Sequence, residues 1–474
     1  MELLETIVST VNGFLWNELL IILLVGTGIY YTIRLGFIQI RKFGTATKIL
    51  AGEVSLKGDA ADKSGMSSFQ AVATAVAGQV GTGNLAGPAT AILAGGPGAI
   101  FWIWISSFLG MATIYAEAIL AQKYKSKDKN GQVVGGPAYY IEQGLNCKWL
   151  ACIFAVLIIL ALGLIGNMVQ SNSIAAAFTG SFGFPPWVAG AAVALITGIV
   201  IIGGIKSIAA LVEKLVPGMA IFYLIGALII LGINIEYFIP ALKVIFIAAF
   251  DPQAVLGAGA GVAVQHAARF GIARGLFSNE AGMGSTPHAH AVAKVDKPEH
   301  QAYVAMMGVF IVCVIVSLTG FVIVTSALKE WSSLGKVVGD GNFLSVYTVT
   351  GIAATQEAYA AVFGHWGNKF VSIALFFFAF STIIGWYYYA ETNVRYLFNS
   401  DSALRIYQTF VIVFLFSAAF FKVDLVWDMA DMFNGLMVLP NLAALLLLSP
   451  VVIKLTKAIA AGKQEEPQTD NPTS

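Results

Sequence analysis

Eleven runs of about 20 mostly apolar residues, each the length a helix needs to cross a bilayer, occupy most of this 474-residue chain. They fall near 14–35, 68–95, 99–123, 149–176, 185–205, 215–235, 254–273, 301–328, 366–391, 404–421 and 426–454, the last carrying Pro440 and expected to kink. Charged residues make up only 11% of the sequence, against about 25% in soluble proteins, so a solvated globular surface cannot be assembled from it. The expected fold is an all-α polytopic membrane protein with 11 transmembrane helices. The leader MELLETIVSTVNG is acidic where a secretory signal is basic, so the first run reads as a retained span.

Short loops keep lysine and arginine on the cytoplasmic side. With the amino terminus extracellular, only Lys243, Lys329, Lys336, Lys369 and Lys422 of the 27 basic residues fall outside, and the carboxyl terminus is cytoplasmic. The connections 235–253 and 329–365 hold apolar residues without the length to span, and read as helices on the outer surface, as lids or hinges. The polar end, 458–474, reads as a disordered cytoplasmic tail. A net charge of +1 gives no sign of nucleic-acid binding, and Cys147, Cys152 and Cys313 read as buried free thiols rather than a disulfide framework.

The second run departs from an ordinary anchor. Its centre, AGQVGTGNLAGPAT, combines Gly78, Gly81, Gly83 and Gly87 with Gln79, Thr82, Asn84 and Pro88. Glycine and proline weaken a helix, and a break here frees carbonyls from the first half for a cation and amides from the second for a carboxylate. Small residues that merely let helices pack closely are the alternative, but packing does not require three polar side chains at one depth. In the ninth run Ser381 and Thr382 are adjacent hydroxyls, able to bond back one turn or to join freed carbonyls around a sodium ion. In the fourth, Asn167 and Gln170 share a helical face and either line a cavity or tie two helices. The glycines Gly257, Gly259 and Gly261, with Gln265 and His266, invite a second break in the seventh run; the polar FSNEAG segment after it competes for that role. Glu280 and Arg274 are expected to pair as a gate at the cytoplasmic surface. His266, His288 and His290 lack the company of a metal site. No HExxH, GxSxG or GxxxxGK[ST] motif and no carboxylate pair at one depth points to an enzyme.

GGPGAIFWIWISSFLG, from Gly95 to Gly110, together with GQVGTGN and GLFSNEAGMGS, resembles the alanine or glycine:cation symporter family, with Ile103 where that signature has methionine. The resemblance covers nearly the whole chain. It implies a leucine-transporter-like core of two inverted five-helix repeats, at 68–235 and 236–457 with the lid helices in the second, preceded by one extra helix within 1–67. It also implies roles: the amides of Thr82 and Gly83 for the substrate carboxylate, and Gln79 and Asn84 at substrate, with Asn84 available to a second cation. The carbonyls of Ala77, Val80 and Phe378 with the hydroxyls of Ser381 and Thr382 would hold sodium. Asn167, Gln170, Gly261 and Gln265 complete the expected substrate site. The activity implied is sodium-coupled import of alanine or glycine across the cell membrane by alternating access, with sodium as co-transported ion and no organic cofactor. A proton-coupled carrier or a channel is the alternative, although Glu117, near the cytoplasmic end of its run, is a poor proton relay. Bulky neighbours such as Phe277, Phe380, Trp386 or Met168 are expected to keep the pocket small.

Overall fold

A computed structural model describes residues 2–53, 66–129, 131–257, 264–295 and 297–460. The chain is a helical bundle whose principal helices are α1 (Leu3–Arg34), α2 (Ser68–Gln79), α3 (Thr82–Gly95), α4 (Ala99–Lys123), α5 (Lys148–Phe182), α6 (Pro186–Ile202) and α7 (Gly204–Ile233). After them come α8 (Val264–Asn279), α9 (Pro287–Val292), α10 (Pro298–Ser333), α11 (His365–Phe398), α12 (Asp401–Phe420) and α13 (Val423–Leu447). Among the described residues, 8 helices are long and apolar enough to cross a membrane: α1, α4, α5, α7, α10, α11, α12 and α13. Of the remaining apolar runs, α6 is a shorter helix, the second contains two helices end to end, and the seventh holds parts of two helices on either side of residues 258–263. The expected tail segment from residue 461 onward lies outside the described residues.

Burial sorts these helices into centre and rim. In α11, 78% of the most apolar stretch is buried inside the protein, whereas in α1 and α12 the shares are 29% and 28%. The rim presents bare apolar side chains such as Ile199, Ile202 and Leu228, which suits hydrocarbon and would be a liability in water. The long connections meet at one end of the bundle: Lys329 Nζ donates to Asn234 Oδ1 at 3.0 Å, and a Cβ on Gly257 would lie 3.3 Å from Gly341. Short helices Phe238–Ala248, Pro252–Leu256 and Ile352–Phe363 cover this lid end. At the opposite, basic end, Lys129 lies 3.5 Å from Asp401 and Tyr396 bonds Glu142 at 2.6 Å.

Three expectations are corrected. The leader is helical and simply extends α1, because Val8 and Asn12 are buried. The seventh run does not span 254–273: a short helix ends at Leu256, and α8 continues from Val264 to Asn279. That shift keeps Arg269 and Arg274 inside α8 rather than in the connection after it. The three cysteines are free but half-buried rather than buried.

Candidate functional site

The second run breaks where its glycines cluster. The last helical bond of α2 runs from the Val80 N–H to the Val76 carbonyl at 2.7 Å. Gly81 is then extended, with φ −123° and ψ −154°, and α3 starts at Thr82. Gly81 is required by close approach, since a Cβ there would sit 3.0 Å from Gln170 Oε1 and nearer still to the Thr382 hydroxyl. Pro88 sits inside α3 and gives no N–H to the Asn84 carbonyl one turn back. The Thr319 hydroxyl of α10 supplies the missing donor at 2.9 Å, and Thr355 serves the adjacent Leu85 carbonyl at 2.7 Å.

Both sets of groups freed by the break are met by side chains from other helices. The Thr382 hydroxyl of α11 donates to the Ala77 carbonyl at 2.8 Å, with Gly78 O at 3.3 Å. Ser381 bonds back to the Phe378 carbonyl at 2.8 Å and lies 3.5 Å from Ala77 O. Ala77, Phe378, Ser381 and Thr382 are thus gathered into one fully buried group of oxygens, the donor set a hard cation prefers. Val80 is also fully buried, at the end of α2. On the α3 side, Gln170 Oε1 accepts from the Thr82 N–H at 3.0 Å and from its hydroxyl at 2.7 Å. A neutral amide oxygen therefore caps the helix end at which a carboxylate is expected. Among the described residues Gln170 Nε2 is left without a partner, and so are Gln79 Oε1, Asn84 Nδ2 and Asn167 Oδ1. Each buried unmet polar group costs about 1–3 kcal/mol, so the free amides of Gln170 and Asn84 beside the start of α3 mark a place where a polar ligand would be welcome.

The two readings of Asn167 and Gln170 separate in space. Asn167 donates to Gly163 of its own helix at 3.2 Å, in the π-helical stretch Ile159–Gly166, while Gln170 crosses to α3. Gln79 turns away from the cation group and donates to the Asn279 carbonyl at 2.8 Å, tying α2 to the end of α8. Ser278 donates to Asn84 Oδ1 at 3.1 Å, a second tie between the broken segments.

α8 ends at Asn279 and gives way to an irregular segment within FSNEAGMGS, while residues 258–263 of the other candidate break lie outside the described residues. Gln265 is exposed near the start of α8, 14 residues before Asn279, or about 21 Å at 1.5 Å per residue; it is not brought to the site. Gly261 lies outside the described residues. After Asn279 the chain takes positive φ at Glu280 (57°), Gly282 (89°) and Gly284 (80°) before α9 begins. The buried Glu117 carboxylate of α4 holds this irregular segment. It accepts from Gly282 N and Gly284 N, both at 3.0 Å, and from Asn441 Nδ2 at 2.7 Å. Alternating glycines followed by Pro287 are a signal that points to this break, and the acid that satisfies it comes from more than 160 residues away.

Arg274 and Glu280 do not pair. Arg274 reaches Asp431 of α13 with two bonds, at 3.0 and 2.5 Å, and its guanidinium lies 5.0 Å from the Trp427 ring centre. Glu280 is fully buried and accepts from Ser285 Oγ and Trp386 Nε1, both at 2.5 Å. Nothing in the sequence marked Asp431 as the partner. Phe277 completes the cover: its ring centre is 5.0 Å from Trp427 and 5.8 Å from Trp386, and a Cβ on Gly83 would lie 2.8 Å from it. Of the bulky residues expected to restrict the pocket, Phe277 and Trp386 therefore meet at the break, whereas Phe380 stacks on Phe376. His288 and His290 are buried, bonded to Ser285, Asn393 and Gln301.

Residues 1–472 match the model of the sodium:alanine symporter family. The chain belongs to that family. Membership makes it a sodium-coupled amino-acid symporter and a multi-pass membrane protein, not an enzyme. It is 43% identical over 466 residues to the sodium/alanine symporter AgcS of Methanococcus maripaludis, covering 97% of this chain and 98% of that one. Over 457 residues it is 40% identical to a Bacillus subtilis protein named as a probable sodium/glutamine symporter, GlnT, covering 96% of this chain and 91% of that one. The fold is similar to that of MhsT in complex with L-phenylalanine, with a TM-score of 0.54 at 14% identity, over 84% of this chain and 100% of that chain. At that identity the likeness to MhsT is one of fold alone.

Proposed function

We propose that this symporter imports small neutral amino acids, alanine and glycine, by alternating access, with sodium bound where Ala77, Val80 and Phe378 carbonyls meet the Ser381 and Thr382 hydroxyls. The observation that carries the reading is the bond from Thr382 of α11 to the Ala77 carbonyl near the broken end of α2. An ion at this position would draw α11 and the broken helix together, so occupancy would favour one arrangement of the bundle over another. Substrate would lie beside it, with its carboxylate on the Thr82 and Gly83 amides once Gln170 swings off or turns its free Nε2 toward the ligand. Asn84 and Gln79 border that space. Phe277 and Trp386 limit it to small side chains, and steric exclusion of this kind discriminates by only about 1–3 kcal/mol per methylene. The buried Arg274–Asp431 pair, with Phe277 beneath, is the gate on the lid side, which the charge distribution assigns to the cell exterior. In this reading the chain has eleven spans, an extracellular amino terminus and inverted repeats at 68–235 and 236–457.

Proton coupling is a second reading, favoured by one observation: Glu280 is fully buried and pairs with no basic side chain among the described residues. A lone carboxyl at that depth needs a proton or a cation as company. Uptake of labelled alanine into proteoliposomes separates the two. Accumulation that requires an inward sodium gradient supports sodium coupling, while accumulation driven by a pH gradient alone overturns it.

A further inference from the structure

The first helix lies outside the pair of broken helices and contributes nothing to the binding site, yet it is bonded to the gate. Asn12 Nδ2 donates to the Asp428 carbonyl at 2.8 Å, and Trp16 Nε1 donates to the Asp431 carbonyl at 3.1 Å. The donors are four residues apart and the acceptors three apart, so one face of α1 grips one face of α13. Both donors are buried, Asn12 at 8% exposure and Trp16 at 4%. Trp16 itself lies within the five-residue π-helical stretch Leu15–Leu19. One turn beyond Asp431, a Cβ on Gly435 would lie 2.9 Å from Leu20 and 3.1 Å from Leu15, so the two helices are in intimate contact there. At the far end Tyr31 bonds the Leu445 carbonyl at 2.5 Å and Tyr30 meets Ser449 at 2.9 Å. The grip therefore runs the length of α13.

We infer that α1 is a strap that sets the gate, with Asn12 and Trp16 as positioning residues that hold α13 so that Asp431 meets Arg274. Asp431 is used from both sides: its carbonyl faces the strap and its carboxylate faces α8. The chain of contacts continues inward from Asp431 to Arg274, across Trp427 to Phe277, and from Phe277 to Gly83. Loosening the strap lets α13 withdraw and uncovers the site without altering any group that touches substrate or sodium. Indole and amide donors to a helix carbonyl suit this task. They add a bond to an oxygen already serving its own helix, so the bond can be released without leaving an unmet acceptor.

This inference rests on the reading of Arg274–Asp431 as a gate, and the test separates the two. Gly87 of α3 faces Arg274, with 4.0 Å between a Cβ there and the Arg274 Cβ, so Gly87→Cys places a reporter thiol beneath the pair. In full-length protein with Cys147 and Cys152 replaced by serine, a membrane-impermeant thiol reagent is applied from the side of the lid end. The native, half-buried Cys313 serves as an internal control for general loosening. Losing one buried hydrogen bond of about 0.5–1.5 kcal/mol predicts that Trp16→Phe, which keeps the ring, speeds labelling of the reporter thiol roughly twofold to tenfold. Asn12→Leu does the same, and Cys313 labelling stays unchanged. Gly435→Ala, which wedges the two helices apart, is the second route to the same acceleration. Parent-like labelling in all three variants, while Arg274→Gln accelerates it, overturns the strap and leaves the gate standing. Parent-like labelling in Arg274→Gln overturns the gate reading, and the strap with it.

Discussion

Replacing Thr382 by valine keeps the volume and removes a single oxygen from the proposed sodium site. The hydroxyl lies 2.8 Å from the Ala77 carbonyl and 3.3 Å from that of Gly78, so it is the side-chain group most directly placed to share an ion with the end of α2. Bonds to charged groups in a buried setting contribute about 1.5–3 kcal/mol, which corresponds to a loss of roughly tenfold to 150-fold in affinity. Ser381 is less well placed. Its hydroxyl is 3.5 Å from Ala77 O and is engaged with Phe378 at 2.8 Å, so Ser381→Ala is expected to cost less than tenfold. Thr382→Ser, which keeps the hydroxyl, should stay within about threefold of the parent. The assay is initial-rate alanine uptake into proteoliposomes titrated with external sodium, read as the half-maximal sodium concentration. An unchanged value for Thr382→Val with transport intact, or a larger effect from Ser381→Ala than from Thr382→Val, refutes the assignment.

Gly83→Ala should weaken alanine binding at least tenfold, because its Cβ would fall 2.8 Å from the Phe277 ring; adding Phe277→Leu should restore part of the affinity, both read by equilibrium binding in detergent. Thr319→Val leaves the Asn84 carbonyl without a donor, for about 1–3 kcal/mol of lost stability, visible as a lower melting temperature. Pro88→Ala in that background should recover it by returning a backbone N–H, and failure to recover would show that Thr319 acts otherwise. Asp431→Asn strands a buried guanidinium and should cost about 3–5 kcal/mol of stability, whereas Arg274→Gln together with Asp431→Asn should cost clearly less in the same melt. Glu117→Gln replaces one acceptor oxygen with a donor facing the Gly282 or Gly284 N–H, and should lower both the melting temperature and the transport rate.

Composition and local propensity were enough to establish the solvent and the first break. Low charge and long apolar runs make the chain a membrane protein whatever its tertiary contacts, because the bilayer sets the helix length. Gly81 and its polar neighbours break the second run by local propensity. The Ser381–Thr382 pair could also be singled out, since adjacent hydroxyls have few tasks in a central membrane helix. The seventh run was harder: glycines lie both before and after α8, and what holds the irregular segment after it is the Glu117 carboxylate, bonded to Gly282 and Gly284. Pairing was likewise invisible in one dimension. Arg274 had Glu280 six residues away in sequence, but α8 carries the guanidinium toward α13, where Asp431 waits, and leaves Glu280 beyond the helix end among Ser285 and Trp386. Gln170 on Thr82 and Trp16 on Asp431 belong to the same class. Such bonds join residues tens to hundreds of positions apart, and their energy depends on geometry within a few tenths of an ångström. Composition and spacing specify which groups need a partner in hydrocarbon; only the packed bundle determines which partner each one meets.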